Sequence, residues 1–205
     1  MKKETTGKMT ALSTKELGPK TWPDFEKLAT KQGQCWCTYY QRAKPVHTGK
    51  DPLKADRVNH SYKENLVMQG KSHAILVYDG KRPVGWCQYG PKEELPRIDA
   101  GRGYRKVEPL ITEKMLWRIT CFFVDREYRG KGIAETALKG ALESIRNQGG
   151  GIVEAYPVVS KKMGAVPEWL WFGTPGMFRR AHFKPVAPLG TSLQLMRRTL
   201  SSSRS

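Results

Sequence analysis

Two glycines and two cations stand together at Arg129-Gly130-Lys131-Gly132, directly before Ile133-Ala134 and a regular helical pattern. The first N–H groups of a helix have no partner inside it, and the peptide dipoles add partial positive charge at the same end. Glycines without side chains let a ligand approach the backbone closely. Arg129 and Lys131 add full charges, so this helix start has the composition of a diphosphate cradle. Spacing excludes two familiar phosphate loops. Gly-x-x-x-x-Gly-Lys-Ser/Thr fails because Gly132 and Ile133 follow Lys131, and Gly-x-Gly-x-x-Gly fails because its third position is Glu135. Gly101-Arg102-Gly103 fails too, having neither a strand before it nor an apolar helix after it. A second group able to do chemistry is Glu154 with Tyr156, two apart in an extended segment and therefore on one face.

The elements that must position these residues are legible. Leu116–Val124 is an apolar run that reads as a buried strand. Residues 130–148 carry Ile133, Ala137, Leu138, Ala141, Leu142 and Ile145 on one helical stripe, and Gly149-Gly150-Gly151 ends it. Ile152–Val158 is a further strand, so strand, turn, helix and strand predict a parallel pair joined by a crossover. Upstream, a short strand and a turn at Gly18-Pro19 precede a helix over Trp22–Lys31, and residues 53–70 form a second helix. Asp79-Gly80 between two β-rich runs predicts a hairpin. Residues 91–110 read as a long loop. A short helix near Met177-Phe178, a brief strand at Lys184–Ala187 and a last strand over 192–200 complete a mixed α/β sheet.

The chain has 205 residues, 39% of them apolar, which suits one globular domain. We expect a loose tail over 1–8, one domain over 9–199 and a second tail over 200–205. No apolar run is long enough for a membrane span, and the basic N-terminus is not followed by a signal-peptide core, so a cytoplasmic protein is expected. Cys35, Cys37, Cys87 and Cys121 match neither a zinc nor a redox spacing, and no metal is expected. The formal charge of +17 attracts polyanions but is dispersed along the chain, so nucleic acid is the weaker partner expectation.

Arg129-x-x-Gly132-x-Ala134 after a buried strand resembles the acyl-CoA signature of the GNAT superfamily of N-acetyltransferases. The order of elements over about residues 10–199 is similar to that fold, and "MFRRAHFKPV" resembles its late segment. The resemblance implies a mostly antiparallel mixed sheet with a splayed parallel pair and flanking helices. It implies acetyl-CoA as the acyl donor and an amine as acceptor, with self-association into a homodimer left open. It also implies that Arg129, Gly130, Lys131, Gly132, Ile133 and Ala134 hold the CoA pyrophosphate, and that Phe122, Phe123 and Val124 line the pantetheine arm. The family's usual glutamate base falls near Arg118 and its usual tyrosine acid at Phe178. Glu154 as base and Tyr156 or Cys121 as acid are the substitutes. For the acceptor, the candidates are the aromatic residues Trp36, Tyr39, Trp86 and Tyr89, with Glu94 from an acidic loop. A CoA-binding protein with altered catalysis and an RNA- or ribosome-associated acetyltransferase are the alternatives.

Overall fold

A computed structural model describes residues 10–33, 35–44, 51–159 and 167–203, with the side chains of 167–169 excepted. Seven strands form one sheet: β1 (Leu12–Glu16), β2 (His73–Asp79), β3 (Arg82–Pro91), β4 (Leu116–Val124), β5 (Gly151–Ala155), β6 (Lys184–Leu189) and β7 (Leu193–Leu200). Their order is β1-β2-β3-β4-β5-β7-β6. Every neighbouring pair is antiparallel except β4 with β5. The described α-helices are α1 (Trp22–Lys31), α2 (Pro52–Met68), α3 (Ile133–Asn147) and α4 (Pro175–Arg180). The expected α/β sheet with one parallel pair and flanking helices is what folds.

Period-two alternation in β2 sends residues to two cores. Ile75 and Val77 join Val84, Trp117, Ile119 and Val153 under the apolar stripe of α3. Ala74, Leu76 and Tyr78 face the other way, with Trp86, against Trp22, Phe25, Leu28 and Trp36. Asp51 caps α2 by accepting from the N–H groups of Leu53 and Lys54, leaving Pro52 in the first turn, where a missing N–H costs nothing. Gly85 fixes how α3 sits on the sheet. A Cβ at that position would lie 2.6 Å from the Phe123 carbonyl oxygen and 2.8 Å from the Ile133 side chain.

Several boundaries differ from the sequence reading. The helix begins at Ile133 rather than 130, because Gly130 and Gly132 take the left-handed conformation (φ +74° and +79°) and cannot continue a right-handed turn. The strand after it ends at Ala155, before Tyr156 and Val158. The loop over 91–110 contains three short 3-10 turns, at Lys92–Glu94, Pro96–Ile98 and Tyr104–Lys106. Leu200, placed in the C-terminal tail, closes β7 and is buried, and Ser203 still donates to the Arg146 carbonyl. The expected tail over 1–8 lies outside the described residues.

Candidate active site

β4 is where the sheet opens. Its last pairing with β5 joins Ile119 to Ala155. Beyond that point the chain after β5 follows β7, with Val158 bridging Leu193, while β4 continues along β3 through Cys121, Phe122, Phe123 and Val124. The two parallel strands therefore part at Thr120 and Tyr156. A bulge marks the same place: Gln88 pairs Cys121 and Tyr89 pairs Ile119, so Thr120 has no residue opposite. Gln88 is buried, and its amide nitrogen has no hydrogen-bond partner among the described residues.

The strand leads into Asp125, whose carboxylate accepts from the Glu127 N–H and binds Lys31 at 2.8 Å. A 3-10 turn over Arg126–Tyr128 and the extended Arg129 then bring the chain to Gly130-Lys131-Gly132. Ideal Cβ positions on Gly130 and Gly132 meet nothing within 4 Å, so both glycines turn an open side outward at the α3 N-terminus. Arg129, Gly130, Lys131 and Gly132 are exposed, Ala134 is half-buried, and Ile133 is tucked into the core. On the open strand Phe122 packs against Phe178, Phe123 lies against Trp86, and half-buried Cys121 packs against the core face that holds Cys37. Backbone donors at a helix start beside a strand edge that is unpaired among the described residues fit an extended thioester with a diphosphate at one end. Acetyl-CoA has that shape and charge.

Glu154 and Tyr156 do share a face, and both are buried. Their hydroxyl and carboxylate are bound to one another: Tyr156 donates to Glu154 Oε2 at 2.9 Å, and Tyr104 donates to the same oxygen at 2.8 Å. Arg197 donates to Oε1 at 2.8 Å. Beside them Arg118, also fully buried, forks onto Asp99 with bonds of 2.6 and 3.0 Å and donates to the Leu95 carbonyl. Burial and the Glu154 carboxylate together push the Tyr156 phenol well above its ordinary range. These groups form a closed ion-pair network, with no carboxylate oxygen of Glu154 left over for an amine.

The structure disperses the expected acceptor residues. Trp36 is buried against Trp22 and His60 and donates to Asp56 at 2.6 Å. Trp86 lies between Phe25 and Phe123, with both ring pairs tilted. Tyr89 lies on the α3 side, donating to Ser144 at 2.6 Å. Glu94 is engaged by His73 at 2.8 Å. Tyr39 alone of that group lines an open cleft, of about 430 Å³, at the mouth of the parting strands. Its other walls include Tyr40, Arg97, Tyr104, Tyr156 and Phe172. Sequence reading missed Arg97 and Tyr104. The one signal was Gly103, where a Cβ would come within 3.1 Å of the Leu189 backbone, a close approach that seats Tyr104 beside β6.

Behind the site Lys63 is wholly buried, with Gln41 Oε1 as its hydrogen-bond acceptor at 2.9 Å. Burial lowers its pKa to about 8, against a smaller pull from the neighbouring thiols of Cys37, Cys121 and Cys35. A lysine depressed in the folded state costs stability wherever it is charged in both states, which here means below pH 8. Between that pH and the unfolded value near 10.5 the native state releases its proton first and the cost is relieved. Lys63→Met is therefore expected to raise the unfolding free energy at pH 7 by about 1–3 kcal/mol in urea titrations. The gain should shrink as pH rises through that window.

The chain matches the Acetyltransferase (GNAT) family over residues 34–167 and belongs to it. Solved structures with the same fold include a GNAT-family protein from Desulfovibrio desulfuricans, at 15% identity, covering 92% of this chain and 99% of that one with a TM-score of 0.54. A structure described as histone acetyltransferase HPA2 and related acetyltransferase, from Corynebacterium glutamicum, matches at 12% identity over 96% of this chain and 100% of its own, TM-score 0.55. Arabidopsis thaliana NAA60, solved with acetyl-CoA, matches at 15% identity, covering 93% and 100%, with a TM-score of 0.50. No curated protein matches the chain. Among the described residues no helix is long and apolar enough to cross a membrane, and no cluster of three His, Cys, Asp or Glu side chains could hold a metal ion.

Proposed function

We propose that this protein is an acetyl-CoA-dependent N-acetyltransferase that passes its acetyl group directly to an amine. The observation that carries this is the pair of left-handed glycines with open outer sides at the α3 N-terminus, one turn beyond a strand whose parallel neighbour has left it. Acetyl-CoA supplies the activated acyl group as a thioester. The N–H groups from Gly130 to Ala134, with Arg129 and Lys131 beside them, would hold the pyrophosphate. The open edge of β4 over Cys121–Val124 would hold the pantetheine arm as an added strand and present backbone N–H groups to the acyl oxygen. Transfer breaks the C–S bond and forms a C–N bond; the amine gives up one proton and CoA leaves as the thiol.

Phe178 favours a second reading, that of a CoA-binding protein with little transfer activity. It is fully buried against Phe122 and Phe183, where a proton-donating tyrosine is usual in the family. Calorimetry with acetyl-CoA, followed by a thiol-release screen over an amine panel, separates the two. Micromolar binding with release on at least one amine is the expected result. Binding without release on any amine selects the second reading, and no binding of either acetyl-CoA or CoA removes both.

A further inference from the structure

The cleft at the mouth of the parting strands is built for one kind of amine. Its polar inventory is unusual. Tyr39, Tyr40, Tyr104, Tyr156 and Phe172 supply aromatic walls, and Arg97 is the single charged residue among the described lining. The Arg97 guanidinium lies 3.9 Å from the Tyr39 ring centroid and has no carboxylate partner among the described residues. Among the described residues neither a carboxylate nor a histidine lines the cleft. Two described acids beside the cleft are spent, Glu154 on Arg197 and two phenols, Asp99 on Arg118. The phenols are not bases either. Burial raises the Tyr40 and Tyr104 pKa values, as it does that of Tyr156, and the last two already donate to Glu154.

Two chemical consequences follow. A polycationic acceptor would enter a chain of charge +17 and find no anion among the described residues of the cleft to receive it. An aliphatic amine, an ammonium ion near neutral pH, would find no group among the described lining to take its proton before attack. An arylamine avoids both difficulties. Its nitrogen is already neutral at pH 7, its ring stacks on tyrosine and phenylalanine, and its proton is lost only as the C–N bond forms, when the departing thiolate can take it. The unpaired guanidinium adds a requirement for an anion on the ring, since Arg presents a planar fork that matches a carboxylate.

We propose that the acceptor is an arylamine bearing a carboxylate, of the aminobenzoate type, with its ring laid against the aromatic wall that Tyr39, Tyr40 and Phe172 form in contact with one another, and its carboxylate on Arg97. This rests on the acetyltransferase reading, and the test keeps the two apart. Calorimetry of para-aminobenzoate against the wild-type chain and Arg97→Ala needs no donor. Binding to the wild type, weakened roughly 10- to 100-fold by the substitution and partly restored in Arg97→Lys, is expected for one charge-assisted contact. In thiol release, para-aminobenzoate should exceed aniline by a similar factor, and Arg97→Ala should erase that preference. Spermidine, an aminoglycoside or benzylamine turned over best would overturn the acceptor assignment while leaving the acetyltransferase reading standing. So would equal binding of para-aminobenzoate to wild type and Arg97→Ala, or no binding to either. Failure of acetyl-CoA itself to bind would instead remove the acetyltransferase reading.

Discussion

Gly132→Glu is expected to weaken acetyl-CoA binding by roughly 100-fold or more while leaving the protein folded, since like charges brought together at an interface cost several kcal/mol. Gly132 sits at φ +79° immediately before the first residue of α3, and its Cβ direction meets no protein atom within 4 Å. A side chain there strains the backbone by about 1–2 kcal/mol, the general cost of a left-handed residue other than glycine. It clashes with nothing in the protein, so the damage falls on whatever approaches from outside. A glutamate sets a negative charge where the diphosphate would sit, at the positive end of the helix. Gly132→Ala carries the same strain without the charge and should lose less. Calorimetry with acetyl-CoA and urea unfolding on both variants measure the two effects separately. A Glu variant that binds acetyl-CoA within threefold of wild type would falsify the cradle.

Glu154→Ala has the largest expected effect on stability, about 3–5 kcal/mol, because it leaves half-buried Arg197 without its carboxylate and removes the nearby charge from buried Arg118. The carboxylate is fully buried and neutralises Arg197 directly, while Arg118 Nε lies 3.9 Å away. Without it, Arg197 and the hydroxyls of Tyr104 and Tyr156 lose their common acceptor. A domain of this size is stable by only about 5–15 kcal/mol, so the variant should unfold at markedly lower urea. Glu154→Gln, which keeps an acceptor oxygen but not the charge, should fall between. The distinction bears on chemistry. A carboxylate that served only as a general base would, once replaced by glutamine, leave the urea midpoint unchanged and reduce turnover alone. A loss below about 1 kcal/mol for the alanine variant would point to that role instead.

The geometry of the proposed donor half of the site was legible because it is local. Arg129 to Ala134 are consecutive, the strand before them is one apolar run, and the stripe on α3 repeats with helical period. Backbone conformation and helix polarity over such a stretch follow from residue type, as the left-handed Gly130 and Gly132 bear out. The hairpin at Asp79-Gly80 was legible for the same reason. The acceptor half was not. Trp36, Trp86 and Tyr89 have the composition of a binding wall, yet each is buried in packing, and aromatic type alone does not distinguish a wall from a core. Glu154 and Tyr156 were correctly placed on one face, but alternation says nothing of what faces them. Arg118 and Arg197 arrive from β4 and β7, and Tyr104 from a loop fifty residues upstream.

By itself the sequence determined the order of elements, the parallel pair and the glycine turn at the α3 N-terminus, all of which depend on short-range periodicity and on where glycine removes a side chain. Only the tertiary structure decided which charges are already spent. Whether a carboxylate can act on a ligand depends on how many donors surround it, and Glu154 gathers its donors from three separate parts of the chain. The same long-range packing left Arg97 without a carboxylate partner among the described residues, at the edge of an aromatic cleft, a position no spacing in the sequence reveals.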